Sequence, residues 1–133
     1  METLKSHLDD IIHLTDYLLH ETAPPLTDEQ RNFTQVIQNN VKQFAEMITP
    51  ILDALPAHQD GDPFPGDMHA LRTPLVSIIG YADVFVAGVL GDLLPEQEAS
   101  FREIVDHGLS LRDHLETIYA TIKTQLSDNP LIV

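Results

Sequence analysis

The sequence lacks cysteine and tryptophan, and it carries only 7 Lys and Arg residues against 21 Asp and Glu. The absence of cysteine excludes disulfides, zinc-thiolate sites and thiol catalysis. The formal net charge of −14 repels nucleic acid and anionic membrane surfaces, and we therefore expect neither as a partner.

Long apolar runs are also missing. No stretch approaches the roughly 20 residues that a membrane helix requires, and residues 1–8 lack the basic start and apolar segment of a signal peptide. We expect a cytoplasmic protein. Because Met1 opens the chain and Asn129-Pro130 is predicted to end its last helix, we also expect the sequence to be a complete protein. With 133 residues and 43% hydrophobic content, the chain can form one compact domain with a core.

Apolar residues recur at the spacing of an α-helix along nearly the whole chain. A first helix is predicted up to Pro24 and Pro25, which end it. A second begins at Thr27, an N-cap residue, with Gln30 at the capping-box position. Its apolar residues recur at alternating steps of three and four, which is typical of a bundle seam.

The second half repeats this organisation after a segment rich in glycine and proline, residues 58–67, which is predicted to be a linker. A third helix is expected to start near Asp67. Residues 88–92 form a predicted turn, and Pro95 suits the first turn of a fourth helix. Gly108 in that helix would allow another helix to approach closely. No alternating strand pattern appears, so the predicted fold is all-α: an antiparallel four-helix bundle made of two helical hairpins.

The two hairpins resemble each other. Residues 1–57 form the first hairpin, 58–67 the linker and 68–133 the second hairpin, together one bundle domain. A shift of 67 positions overlays them without a gap and places Leu4 on Leu71 and Gln30 on Gln97. This favours an internal duplication. The alternative is that any two heptad-patterned hairpins overlay in some register.

One ordered motif opens the second hairpin. It reads His69-Ala70-Leu71-Arg72-Thr73-Pro74-Leu75, followed by Ile78-Ile79-Gly80-Tyr81-Ala82. The motif resembles the H-box of the histidine kinase dimerisation and phosphoacceptor domain (HisKA, or DHp), and the similarity covers about residues 68–126. The first hairpin has Glu2 and Lys5-Ser6-His7 at the corresponding places, so its version is degenerate.

The resemblance implies that His69 is a phosphoacceptor, since a neutral imidazole is a good nucleophile near pH 7. It further implies that Arg72 pairs with phosphate oxygens and that Thr73 hydrogen-bonds water or the phosphoryl group. Pro74 would loosen the helix by removing a backbone hydrogen bond. A position in the first helical turn would favour an added phosphate at His69.

One departure from the family pattern concerns the residue after the histidine, where Ala70 replaces the usual acidic base. The sequence also shows no nucleotide-binding glycine loop. We therefore expect no autokinase activity. The expected function is a stand-alone phosphotransfer module, in which a separate histidine kinase phosphorylates His69 and the aspartate of a response-regulator receiver domain takes the phosphoryl group. No cofactor is expected in this chain, because Mg²⁺ would belong to the receiver. The assembly would be a monomeric pseudo-dimer or a homodimer.

Three alternatives remain open. The chain could be a non-catalytic module that sequesters a kinase or a receiver, or a receiver phosphatase in which Thr73 positions water. His69 could also be a merely solvated histidine. His13, Asp16 and His20 share a predicted helix face, as do His107 and His114 on the fourth helix. Without matched Glu-x-x-His pairs we interpret both sets as polar surface and not as a metal site.

Overall fold

A computed structural model describes residues 2–54 and 69–128 of the chain. These residues form four helices: α1 (Glu2–Leu19), α2 (Asp28–Ala54), α3 (His69–Val86) and α4 (Pro95–Asp128). Each helix packs against its two neighbours in the ring α1–α2–α3–α4, while the backbones of the diagonal pairs stay more than 8 Å apart, Cα to Cα, within the described ranges. The prediction of an all-α, antiparallel four-helix bundle is confirmed. The linker at 58–67, the Asp67 N-cap and the end at Asn129-Pro130 lie outside the described residues.

The helix boundaries follow the capping signals. The Thr27 hydroxyl accepts a hydrogen bond from the Gln30 backbone N–H at 3.1 Å, and the Gln30 side-chain oxygen accepts one from the Thr27 N–H at 2.9 Å. This is the predicted capping box. The turn at 88–92 is also confirmed, with positive φ angles of 80° and 99° at Gly88 and Gly91 that favour glycine.

The core runs along the axis of the ring and draws apolar side chains from all four helices. Its most buried large members are Phe44, Phe101, Leu4, Ile11, Ile37, Ile48, Leu71, Leu75, Ile78, Ile104, Leu111 and Leu115. Where polar side chains enter the core, they are satisfied: the amide of buried Gln38 donates to the Thr15 hydroxyl at 3.0 Å and to the Asp16 carboxylate at 2.6 Å. Burial of the apolar stripes is what holds the four helices together.

The shift of 67 positions also relates the helices in space. It carries both ends of α1 onto both ends of α3, and the start of α2 onto the start of α4. Buried core positions fall on buried positions, as with Leu8 and Leu75 or Ile37 and Ile104. The bundle therefore has a pseudo-twofold arrangement of its hairpins, which is the arrangement that a duplication would produce.

Two buried glutamines fasten the hairpins to each other at the end with the two turns. The side-chain amide of Gln30 donates to the carbonyl oxygens of Leu90 at 3.1 Å and Asp92 at 3.3 Å in the second hairpin's turn. The amide of Gln97 donates, at 3.2 and 3.3 Å, to the carbonyls of residues 24 and 25 in the first hairpin's turn. We call this reciprocal pair the glutamine clamp.

The close approach predicted at Gly108 is confirmed. A Cβ atom at this position would lie 2.8 Å from Cγ1 of Ile79 on α3. Glycine therefore lets the helices of the second hairpin pack backbone against side chain at a distance that any larger residue would prevent.

The clamp predicts that Gln30→Ala and Gln97→Ala each lower the free energy of unfolding by about 1–2 kcal/mol. Each substitution removes a side-chain cap, on the Thr27 N–H or the Leu94 N–H, and leaves partly buried turn carbonyls without their donor. Urea denaturation measures both losses. Gln43→Ala on the exposed face of α2 is the control and should change stability by less than about 0.5 kcal/mol. Equal stabilities of clamp and control variants would contradict this role.

Candidate functional site

All four predicted site residues lie in the first two turns of α3. His69 is the first residue of that helix, and its side chain and that of Thr73 are exposed. Arg72 is half-buried and Pro74 is buried. The site therefore sits at the end of the bundle opposite the glutamine clamp, with the histidine ring open to solvent.

Arg72 has a partner on α4 that the sequence did not predict. Its guanidinium makes a two-pronged contact with the Glu116 carboxylate of α4, with Nε 2.6 Å from Oε1 and an Nη atom 3.0 Å from Oε2. The hydrogen bond from Arg72 is the largest of the effects that hold the pKa of Glu116 below its usual value; burial opposes it, and the charges of Arg72 and Arg112 reinforce it.

Arg72 is also placed to reach a group on His69. Residues three apart on a helix lie on the same face, about 5–6 Å apart at Cβ. A phosphoryl group on the histidine would therefore compete with the Glu116 carboxylate for the guanidinium. Because a guanidinium has five N–H donors and Glu116 engages Nε and one Nη atom, a phosphoryl group would either share the Arg72 guanidinium with Glu116 or displace that carboxylate.

Thr73 and Pro74 shape the backbone of this turn. The Thr73 hydroxyl donates to the His69 carbonyl oxygen at 2.9 Å, so its proton is engaged while its lone pairs still face solvent. Pro74 cannot donate to the carbonyl of Ala70, yet α3 continues as a helix to Val86. The proline ring is part of the core as well as of the motif.

A groove of about 310 Å³ lies between α3 and α4, beginning at Arg72. Its floor is apolar and its rim is charged, and it is lined by Arg72, Leu75, Val76, Ile79, Gly80, Arg112 and Glu116. Val76 is 67% exposed there, although it is an aliphatic residue in a strongly charged chain. We call this feature the H-box groove.

The pseudo-symmetry provides an internal comparison for the H-box groove. At the positions equivalent to Val76, Gly80 and Arg112, the first hairpin has Asp9, His13 and Ala45. The combination of apolar floor and guanidinium rim therefore occurs on one hairpin and not on its pseudo-equivalent. The sequence signal that could have revealed this groove is Val76, an apolar residue outside the stripe of apolar positions that face the core.

The other histidine candidates do not form the sets suggested by their spacing. Asp16 accepts a hydrogen bond from Gln38, and the His20 ring lies 2.8 Å from the Thr22 hydroxyl, so they do not converge with His13. His107 and His114 instead meet His7 of α1, a contact that the sequence spacing did not predict. Within residues 2–54 and 69–128, no three His, Asp or Glu side chains are arranged to hold a metal ion.

Comparison with models of known protein families, with curated proteins and with solved structures gave no match. In the part of the chain that the structure describes, no helix combines the length and apolar character needed to cross a membrane.

The ion pair predicts a modest, pH-dependent contribution to stability. Both side chains are more than two-fifths exposed, so Glu116→Gln should cost less than about 1 kcal/mol at pH 7. Because the pKa of Glu116 is lower in the folded chain, its contribution is present above the ordinary value of 4.5 and is lost as the pH falls through the folded value.

Urea denaturation of wild type and Glu116→Gln between pH 3 and 7 measures this difference. Glu103→Gln, an exposed substitution on the same helix, serves as control. A stability difference that persists unchanged at the acid end would contradict the assignment.

Proposed function

We propose that this chain is a stand-alone histidine phosphoacceptor of a two-component phosphorelay. A separate histidine kinase phosphorylates His69, and a receiver-domain aspartate takes the phosphoryl group. The observation that carries the proposal is the co-location of the H-box with the groove: the exposed His69, Arg72 one turn along, and a guanidinium-rimmed apolar surface occur together on one hairpin only.

The chemistry requires little from this chain beyond position and charge. An imidazole nitrogen attacks the γ-phosphorus of ATP held by the kinase; a P–N bond forms, the bond to ADP breaks and the ring's proton passes to solvent or to a kinase base. The receiver carboxylate then attacks the phosphorus, breaking the P–N bond and forming an acyl phosphate. Since Ala70 follows the histidine, the kinase must supply the base as well as ATP.

The H-box groove suits the second partner. Receiver domains carry a cluster of carboxylates that binds Mg²⁺, and Arg72 and Arg112 are two of only seven Lys and Arg in this chain. Their guanidiniums would pair with acidic groups at the rim of the interface while the Val76 side chain is buried at its centre. Because the first hairpin lacks this surface, one chain would bind one receiver.

A second candidate function is a regulator that binds a receiver or a kinase without transfer. The Arg72–Glu116 pair favours it, because the guanidinium is already neutralised by a carboxylate. Both functions use the same groove, and they differ in whether His69 becomes modified.

Transfer is tested by incubating the protein with receiver domains from the same genome, phosphorylated by radiolabelled acetyl phosphate. We expect label to move to wild-type protein and to His20→Gln, and not to His69→Gln. Release of all label as free phosphate would instead assign phosphatase activity. A receiver that binds but keeps its label would assign the binding module.

Docking is tested separately by Val76→Asp, which should weaken receiver binding at least tenfold because it places a charge in the apolar centre of the groove. The folded chain should tolerate the change, since the side chain is exposed. Asp9→Asn, the pseudo-equivalent position on the first hairpin, is the matched control and should bind as wild type does. Calorimetric titration gives both affinity and stoichiometry, and equal affinities would place the interface elsewhere.

A further inference from the structure

Three histidines meet across the contact between α1 and α4. Nδ1 of His7 lies 2.7 Å from Nδ1 of His107, and their ring centroids are 4.9 Å apart. The ring of His114 lies 5.6 Å from that of His7. We call these three residues the histidine cluster.

The nitrogen-to-nitrogen contact admits only some protonation states. One Nδ1 must carry the proton and the other must offer its lone pair. When both imidazoles are cations, two N–H groups face each other and two positive charges lie a few ångströms apart. Full protonation therefore breaks the contact and replaces it with repulsion.

The charged groups around His7 come from both helices of this contact. Desolvation lowers the pKa of His7 most, the charges of His107 and His114 lower it further, and Asp10 on α1 opposes them. Asp10 also lies 3.7 Å from Nε2 of His107, and Glu103 of α4 lines the adjoining groove. Of the described residues in α2, which also packs against α1, none is among the charges that shift this pKa.

The cluster occupies a distinctive place in the bundle. The contact between α1 and α4 joins the two hairpins, as does the pseudo-equivalent contact between α2 and α3. There the positions equivalent to His7, His107 and His114 hold Pro74, Asn40 and Met47, none of which titrates. Because the shift of 67 positions pairs His7 with Pro74, His7 lies near the same end of the bundle as His69.

We propose that the histidine cluster is a pH-sensitive fastening between the hairpins, which loosens the α1–α4 contact beside the H-box end of the bundle when the medium becomes mildly acidic. This device acts on the fold and does not depend on the phosphotransfer function.

The direction of the pH dependence follows from the number of protons that the folded and the unfolded chain bind. Because the pKa of His7 is lower in the folded chain, the unfolded chain binds more protons between the folded value and the ordinary value of 6.5. The stabilisation is complete above pH 6.5 and is lost as the pH falls. Lowered carboxylate pKa values, such as that of Glu116, act only in a more acidic range.

The test compares urea denaturation at pH 7.5 and 5.5, with a chelator present, for wild type, His7→Asn and His20→Asn. Asparagine keeps a hydrogen-bonding group near Nδ1 but cannot become a cation. We expect the wild-type unfolding constant to increase roughly threefold to tenfold between these pH values, His20→Asn to behave in the same way, and His7→Asn to lose at least half of the increase.

A titration of the imidazole resonances of the wild-type protein by NMR gives a second, mutation-free readout. His7 should titrate below 6.5. Amide protection factors, which correct for the intrinsic pH dependence of exchange, should fall between pH 7.5 and 5.5 more in α1 and α4 than in α2 and α3. A His7 resonance that titrates at or above 6.5, or identical pH dependence in His7→Asn and His20→Asn, would overturn the proposal.

Discussion

Closure of the bundle within a single chain is the constraint on which the remaining features depend. Neither hairpin can bury its apolar stripe alone, because an isolated helical pair leaves half of its seam in water. Here the second hairpin covers the first, and the glutamine clamp fixes their relative height through four hydrogen bonds to turn carbonyls. The relative height of the hairpins in turn sets the positions of the side chains at the opposite end of the bundle, including His69.

Closure of this kind also frees the two hairpins from being identical. In a dimer of identical hairpins, a substitution on one surface necessarily appears on both. In one chain the core can keep matched pairs such as Leu8 and Leu75 while the surfaces diverge. The first hairpin has Asp9 where the second has Val76, and His7 where the second has Pro74. The H-box groove and the histidine cluster both lie where the surfaces of the two hairpins differ.

The fold was predictable because its determinants are local. Apolar spacing, the capping box at Thr27 and Gln30 and the proline at position 95 each act within a few residues, and all of them agree. The Glu116 partner of Arg72 and the His7 partner of His107 were not predictable. They depend on how two helices distant in sequence are rotated about their axes, and periodicity alone leaves that rotation undetermined within an apolar stripe about 100° wide.

The Arg72–Glu116 pair shows how such a tertiary contact changes the meaning of a motif. From the sequence alone, Arg72 is a cation free to hold a phosphoryl group. In the folded chain it is shared with a carboxylate, and a dianionic phosphoryl group has more charge than Glu116 with which to attract it. A phosphoryl group on His69 would therefore have to share the guanidinium with Glu116 or draw it away from that carboxylate. The carboxylate is half-exposed, so water could take over the role of partner.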